Sequence, residues 1–143
     1  MPEKETLERV EKDKREGKAP STQAGEFVRE EIDHIREGKH GARSTKQAIA
    51  IGLSKARRAG VKLPAPKKGT SKETQEQAER DIRRAGKKKS TKRSRATLRA
   101  LKREGRSAAS KKALSRQARR AAAKRSAASR SRAAKKAAQT RKK

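Results

Sequence analysis

The sequence predicts a mostly α-helical protein: a small helical hairpin, a proline linker, and a basic tail that is largely disordered or only conditionally helical. Three observations support this prediction. Helix stop and start signals recur along the chain, hydrophobic residues make up 29% of its 143 residues, and the formal net charge is +29. Globular domains are usually about 45–50% apolar. A chain this polar lacks the side chains for a large core, and charge repulsion opposes its compaction.

The helix signals are glycines that follow Arg-Glu or Arg-Ala and precede a stretch rich in serine or threonine. They are Gly17, Gly38, Gly60, Gly86 and Gly105, at spacings of 21, 22, 26 and 19 residues. A basic last turn followed by glycine ends a helix, and serine or threonine caps the next one. The pattern predicts a loose series of short helices. Most of these segments have no apolar stripe that would let them stack as a solenoid.

The charge divides the chain near the Pro64–Pro66 pair. Residues 1–66 hold 15 basic and 11 acidic residues, whereas residues 67–143 hold 30 and 5. Two prolines this close cannot continue a helix and favour an extended spacer. We therefore predict five parts: a charged N-terminal segment (1–20), a helical hairpin (21–63), a Pro/Gly linker (64–70), a polar helix (71–86) and the basic tail (87–143).

The hairpin carries the apolar residues of the chain at helical spacing. Val28, Ile32 and Ile35 form a stripe on the first helix, and Ile49 and Leu53 form one on the second. A hairpin with so few large apolar residues is marginal by itself. Self-association or a protein partner is therefore expected at this part of the chain.

The connection between the two hairpin helices combines two glycines, several cations and a helix start. Backbone N–H groups at a helix N-terminus favour anions. Two interpretations therefore stay open for this connection, a solvated loop and an anion cradle. No P-loop motif is present. The candidate cradle residues are Lys39, His40, Arg43, Ser44, Thr45 and Lys46.

Several function classes are not supported by the composition. The chain has no cysteine, so it has no thiol chemistry. Its two histidines, His34 and His40, are too few to hold a metal without further ligands, and we expect them at the surface. We identify no nucleophile–base pair and expect neither an enzyme nor a cofactor. No apolar run approaches the roughly 20 residues that span a bilayer, and no membrane partner is expected.

The tail predicts a partner of opposite charge. From Gly105 onward it has 15 basic residues, 13 alanines and no acid. Alanine, lysine and arginine favour helix, and phosphates would remove the repulsion that opposes it. Nucleic acid is the abundant intracellular polyanion, and lysine and arginine contact its phosphates without reading sequence. With Phe27 as its one aromatic residue, the chain lacks the stacking platforms of single-strand readers.

We therefore predict binding to duplex DNA without sequence preference. The predicted contacts are Lys87, Lys88, Lys89, Lys92, Arg93, Arg95, Arg99, Lys102, Arg103, Lys111, Lys112, Arg116, Arg119, Arg120, Lys124, Arg125, Arg130, Arg132, Lys135 and Lys136. Two alternatives stay open. One is an RNA-binding or ribosome-associated basic protein, and the other is an adaptor whose hairpin binds a protein.

The second half of the hairpin carries a family resemblance, in the run Lys39-His-Gly-Ala-Arg-Ser-Thr-Lys-Gln-Ala-Ile-Ala-Ile-Gly-Leu-Ser-Lys-Ala-Arg-Arg-Ala-Gly-Val-Lys-Leu-Pro64. Over about residues 22–66 the chain resembles a short domain of unknown function found in small basic bacterial proteins. The resemblance implies a bacterial, cytoplasmic protein and brings no catalytic or cofactor residue. The tail resembles the Ala/Lys-rich tails of linker-histone-like proteins. With the DNA binding expected from the charge of the tail, we predict a nucleoid-associated, histone-like protein.

Overall fold

A computed structural model describes residues 2–66 and 70–142. Within these ranges the chain is mostly helical, as predicted, and contains no strand. Residues 67–69 of the predicted linker lie outside the described residues. The helices are α1 (Lys4–Arg15), α2 (Pro20–Arg36), α3 (Thr45–Arg58), α4 (Lys72–Arg83), α5 (Thr91–Lys102), a 3₁₀ turn (Ser107–Ala109), α6 (Lys111–Ala123) and α7 (Ala127–Arg141).

Most helix boundaries follow the predicted glycine and serine signals; the exceptions include Gly105, whose φ is not positive, and the start of α2 at Pro20, which has no side-chain cap. Gly17, Gly38, Gly60 and Gly86 adopt positive φ angles between 70° and 94°, a backbone region that glycine enters without steric cost. The serine that precedes each of α3 to α7 accepts a hydrogen bond from the backbone N–H three residues later: Ser44, Ser71, Ser90, Ser110 and Ser126. These caps satisfy backbone donors that have no partner inside the helix.

α2 and α3 pack closely against each other and form the centre of the structure. At their crossing, Gly52 lies directly on Val28, and a Cβ atom built at Gly52 would be 2.6 Å from the Val28 Cα. Apolar clusters lie on either side of this crossing. One contains Val10, Ala24, Phe27, Ala56 and Val61; the other contains Ile32, Ile35, Ala42, Ala48, Ala108 and Ala109.

α1 and α4 are added to this pair mainly through polar contacts. From α1, Thr6 and Val10 are buried against α2, and Arg9 forms an ion pair with Glu26 at 2.5 Å. From α4, the buried Asp81 accepts hydrogen bonds from Ser54 Oγ at 2.6 Å and from Arg58 Nε at 2.9 Å on α3. α1 is therefore part of the packed structure.

The tail differs from the expectation of a largely disordered segment. It is helical over most of its described length, and the stretch from Leu101 through the 3₁₀ turn to the start of α6 is packed on the hairpin. The N–H groups of Gly41 and Ala42 donate to the carbonyls of Leu101 (2.9 Å) and Gly105 (3.1 Å). Backbone groups and small residues supply this packing, and neither produces the large apolar stripe that signals a core.

The 3₁₀ turn completes the attachment of the tail. Thr45 Oγ1 donates to the Ala108 carbonyl at 2.7 Å, and Arg36 Nε donates to the Ala109 carbonyl at 2.9 Å. The side chains of Ala108 and Ala109 are buried in the cluster with Ile32 and Ile35. The turn therefore holds the start of α6 beside the start of α3.

α7 stands apart from this packing. It has no buried residue, and its helix depends on the Ser126 cap and on the helix propensity of its alanine and basic residues. Within the described residues, no helix has both the length and the apolar character needed to cross a membrane.

The α2–α3 crossing makes a prediction about stability. Gly52→Ala forces a methyl group into the backbone of Val28 and should destabilise the protein by about 1–3 kcal/mol. Gly25→Ala is the matched control, because Gly25 is also helical but a Cβ there meets no atom within 4 Å. That control should stabilise the fold by about 0.5–1 kcal/mol. Thermal unfolding of both variants measures these changes. Equal changes in stability would contradict the close approach of α2 and α3 at Gly52.

Candidate nucleic-acid interface

A basic cleft of about 440 Å³ lies where α3 and α6 begin. Its lining residues include no carboxylate. The five cations among them are Arg43, Lys46, Lys112, Arg116 and Arg120. The last three recur every fourth residue, which places them along one side of α6.

The local sequence fixes the geometry of this cleft. Ser44 Oγ accepts the Gln47 N–H at 3.1 Å, and Gln47 Oε1 in turn accepts the Arg43 N–H at 2.6 Å. On the other wall, Ser110 Oγ accepts the Ala113 N–H at 3.1 Å. The two capped starts are joined by the Thr45 bond to the 3₁₀ turn, so the arrangement of the cations depends on the docking of the tail.

The electrostatics of the cleft are unfavourable without an anion. A helix N-terminus carries a partial positive charge that acidic residues normally offset. Neither α3 nor α6 has an acid in its first turn, and both have lysine there instead, Lys46 and Lys112. An anion in the cleft would relieve this repulsion and bind to both helix starts.

The structure brings together four of the six candidate cradle residues. Arg43, Ser44, Thr45 and Lys46 line the cleft, whereas Lys39 and His40 point elsewhere. The anion cradle therefore stays a prediction; in the structure, the α6 cations Lys112, Arg116 and Arg120 lie beside these four residues. Sequence reasoning missed this pairing because α3 and α6 are more than 60 residues apart along the chain.

Lys39 instead connects the loop to α1. Its Nζ lies 2.9 Å from Glu3 Oε1 and 3.2 Å from Glu37 Oε2. Hydrogen bonds from Lys39 and His34 lower the pKa of Glu3 to about 2, and the bonds with Glu3 and Glu37 raise the pKa of Lys39. The Lys39 side chain is thus already engaged by carboxylates.

All twenty predicted tail contacts are exposed. Within the described ranges none of them forms an ion pair, and the one acidic side chain beyond Gly86, Glu104, lies 3.8 Å from Arg43 of the hairpin. Three of the twenty line the cleft, and the rest are spread over the surface from the α4–α5 connection to α7. Partial desolvation lowers the pKa of Lys89 although its side chain is exposed, and repulsion by Arg58 and Lys55 lowers it further.

The histidines are not the surface residues that we expected. His40 is buried, with Nε2 at 3.0 Å from Glu31 Oε2, and His34 is half-buried beside it. Glu31 is fully buried and also pairs with Lys55 of α3. The i, i+3 spacing of Glu31 and His34 was the available sequence signal, whereas the approach of His40 depends on the path of the loop.

Together the fold and the cleft define a mostly helical protein with a basic surface, on which Arg43 alone of the five cleft cations forms an ion pair within the described residues. Residues 4–68 match the model of a family of unknown function, DUF6496. The match spans α1 to α3 and so begins earlier than the resemblance over residues 22–66, while the α6 wall of the cleft lies outside it. No curated protein and no solved structure matches the chain.

The start of α6 carries cations at the positive end of the helix dipole. Removing a cation should therefore change the stability of the protein in opposite directions at the two ends of α6. Lys112→Gln removes a cation from the positive end of the helix and should raise the stability of the free protein by about 0.3–1 kcal/mol. Lys124→Gln removes one from the negative end and should lower it by a similar amount. Thermal melts at low ionic strength measure both changes.

Pyrophosphate provides the second half of this test. It should raise the Tm of the wild type and of Lys124→Gln. The increase should be smaller for Lys112→Gln, because that variant has lost a cation of the cleft. If both substitutions shift the Tm in the same direction, the helix-end account of the cleft is wrong.

Proposed function

We propose that the protein binds duplex nucleic acid, with DNA as the favoured form, through phosphate contacts that carry no sequence preference. The observation behind this proposal is the set of twenty exposed tail cations, none of which forms an ion pair with a carboxylate of the described chain. Phosphate contacts of lysine and arginine release counterions and account for most non-specific binding to DNA.

The type of side chain supports a duplex rather than a single strand. Proteins that hold single strands stack bases on aromatic rings. Phe27 is the one aromatic residue, and it is buried with 1% exposure in the α2–α3 core. Asparagine, which commonly pairs with adenine, is absent from the chain. The cleft cations supply charge in a fixed arrangement; arginine can also contact guanine, but nothing in the cleft specifies such a contact.

In this proposal the cleft holds a phosphate group at the junction of hairpin and tail, and the remaining tail cations follow the nucleic-acid backbone on either side. The protein then acts as a nucleoid-associated, histone-like DNA binder. An RNA-binding role in the ribosome uses the same chemistry, and the experiment below distinguishes the two.

Salt dependence tests the proposal directly. If about ten phosphates are neutralised, the slope of log K against log salt concentration should be near −9 for duplex DNA. Fluorescence anisotropy with full-length protein measures this slope. A slope shallower than about −3 would contradict the proposal. Tighter binding to a structured RNA of equal phosphate number would favour the RNA alternative.

Two charge-matched variants test the part played by the cleft. The cleft variant carries Lys112→Gln, Arg116→Gln and Arg120→Gln; the control on α7 carries Arg132→Gln, Lys135→Gln and Lys136→Gln. Both keep the alanines that are buried in the core. We expect the cleft variant to bind DNA at least fivefold more weakly than the control, with a slope about 3 units shallower than wild type. Equal losses would mean that the tail binds as an unstructured polycation.

We also propose that α7 is a conditional helix. It has 15 residues and none of them is buried, and isolated helices of this length are marginal in water. Repulsion among its cations lowers the helical population further, and DNA phosphates remove that repulsion. Helical content should therefore rise when duplex DNA is added.

Two proline variants test whether α7 becomes helical when DNA binds. Ala134→Pro lies in the helix interior and should cost about 3 kcal/mol of helix stability, reducing the gain in circular dichroism on DNA addition. Ala127→Pro is the control, because Ala127 is the first residue of α7, a position where proline is tolerated. The proposal of a conditional helix is wrong if DNA adds no helical signal to the wild type, or if the two variants gain the same helical signal.

A further inference from the structure

We propose that Glu31, His34 and His40 form a Zn²⁺ site where α2 meets the loop that leads to α3. This site is separate from the basic cleft and does not depend on nucleic-acid binding. One donor atom from each of the three side chains lies within 4.8 Å of the other two. Two imidazoles and one carboxylate are a ligand set that zinc uses in proteins, with a fourth position left for water.

The hydrogen bonds to Glu3 and to the Gly41 carbonyl orient the two rings so that the other nitrogen of each faces Glu31, and His40 Nε2 already lies within hydrogen-bond distance of that carboxylate, at 3.0 Å. His34 Nε2 lies 2.9 Å from Glu3 Oε1, and His40 Nδ1 lies 2.9 Å from the Gly41 carbonyl. Both partners only accept hydrogen bonds, so each of these nitrogens carries a proton. In the neutral rings, His34 Nδ1 and His40 Nε2 then hold lone pairs. Metal-binding histidines are usually oriented in this way by a carboxylate or a carbonyl on the other nitrogen.

Both lone pairs face the same buried carboxylate. His40 Nε2 lies 3.0 Å from Glu31 Oε2, and His34 Nδ1 lies 3.9 Å from Glu31 Oε1. Donor atoms of a tetrahedral zinc site with bonds of about 2.0–2.1 Å are about 3.4 Å apart. The two distances go to different oxygens of Glu31, so the carboxylate or the His34 ring must turn for Oε2 to reach this separation from both nitrogens. A neutral His40 would place a lone pair against a carboxylate oxygen, and a cation between them removes this conflict.

The surrounding charges fit a cation at this position. Glu30, on the same helix, is buried, and its Oε1 has no hydrogen-bond partner and lies 3.9 Å from His34 Nε2. Lys55 contacts Glu31 Oε1, and Lys39 contacts Glu3. With zinc bound through Oε2, Lys55 keeps its place on the other oxygen and orients the carboxylate. The site then holds together α1, α2 and the loop.

Zinc titration of the full-length protein tests the site. Isothermal titration calorimetry should show one saturable Zn²⁺ site, and Zn²⁺ should raise the Tm because it binds the folded chain. His34→Gln should weaken binding at least tenfold and remove most of the Tm gain. The control Asp33→Asn alters a neighbouring carboxylate that is half-exposed beside Arg29, and its affinity should stay within twofold of wild type.

Spectroscopy separates a ligand role from a structural one. Because His34 is half-buried, its Gln variant should keep the wild-type circular dichroism. Co²⁺ should give the absorption bands of a tetrahedral site with wild-type protein and with Asp33→Asn, and lose them with His34→Gln. The absence of saturable Zn²⁺ binding, or equal affinity in the folded His34→Gln variant, would overturn the proposal and leave a protonated His40 as the partner of Glu31.

Discussion

Close backbone approach at alanine and glycine is the packing constraint on which this architecture depends. Seven of the thirteen buried hydrophobic residues of the described chain are alanines. Gly52 lies on the backbone of Val28, and a Cβ atom at Gly41 would be 2.1 Å from the Glu104 carbonyl oxygen. Because large apolar side chains are scarce, cohesion comes from dispersion at short range and from backbone hydrogen bonds between segments. Larger side chains at these positions would separate the helices.

The same packing constraint determines where the cations of α3 and α6 lie. Docking the 3₁₀ turn under α2 places the start of α6 beside the start of α3, and their cations then share a cleft without a carboxylate. A net charge of +29 opposes this compact arrangement. In the proposed function, a polyanion that binds the docked form stabilises it by linkage, so folding of the tail and binding reinforce each other.

Local signals made much of the helical structure predictable. Glycine and serine fixed most helix ends, because capping depends on neighbouring residues. Alanine gave no comparable signal for the docking of the tail. Ala108 and Ala109 are buried, whereas the alanines of α7 are not, although both sets lie among similar basic and serine residues. The burial of His40 was likewise hidden, because it depends on how the loop turns back to Glu31.

Residue-resolved amide hydrogen exchange of the free protein at low salt tests the docking of the tail most directly. The Gly41 and Ala42 amides donate to tail carbonyls, and the Val61 amide, which donates to Ala56 within the hairpin, provides the internal reference. If the tail is docked, the Gly41 and Ala42 amides should exchange about as slowly as that of Val61. Exchange of both at the rate of an unstructured chain, while Val61 stays protected, would contradict it.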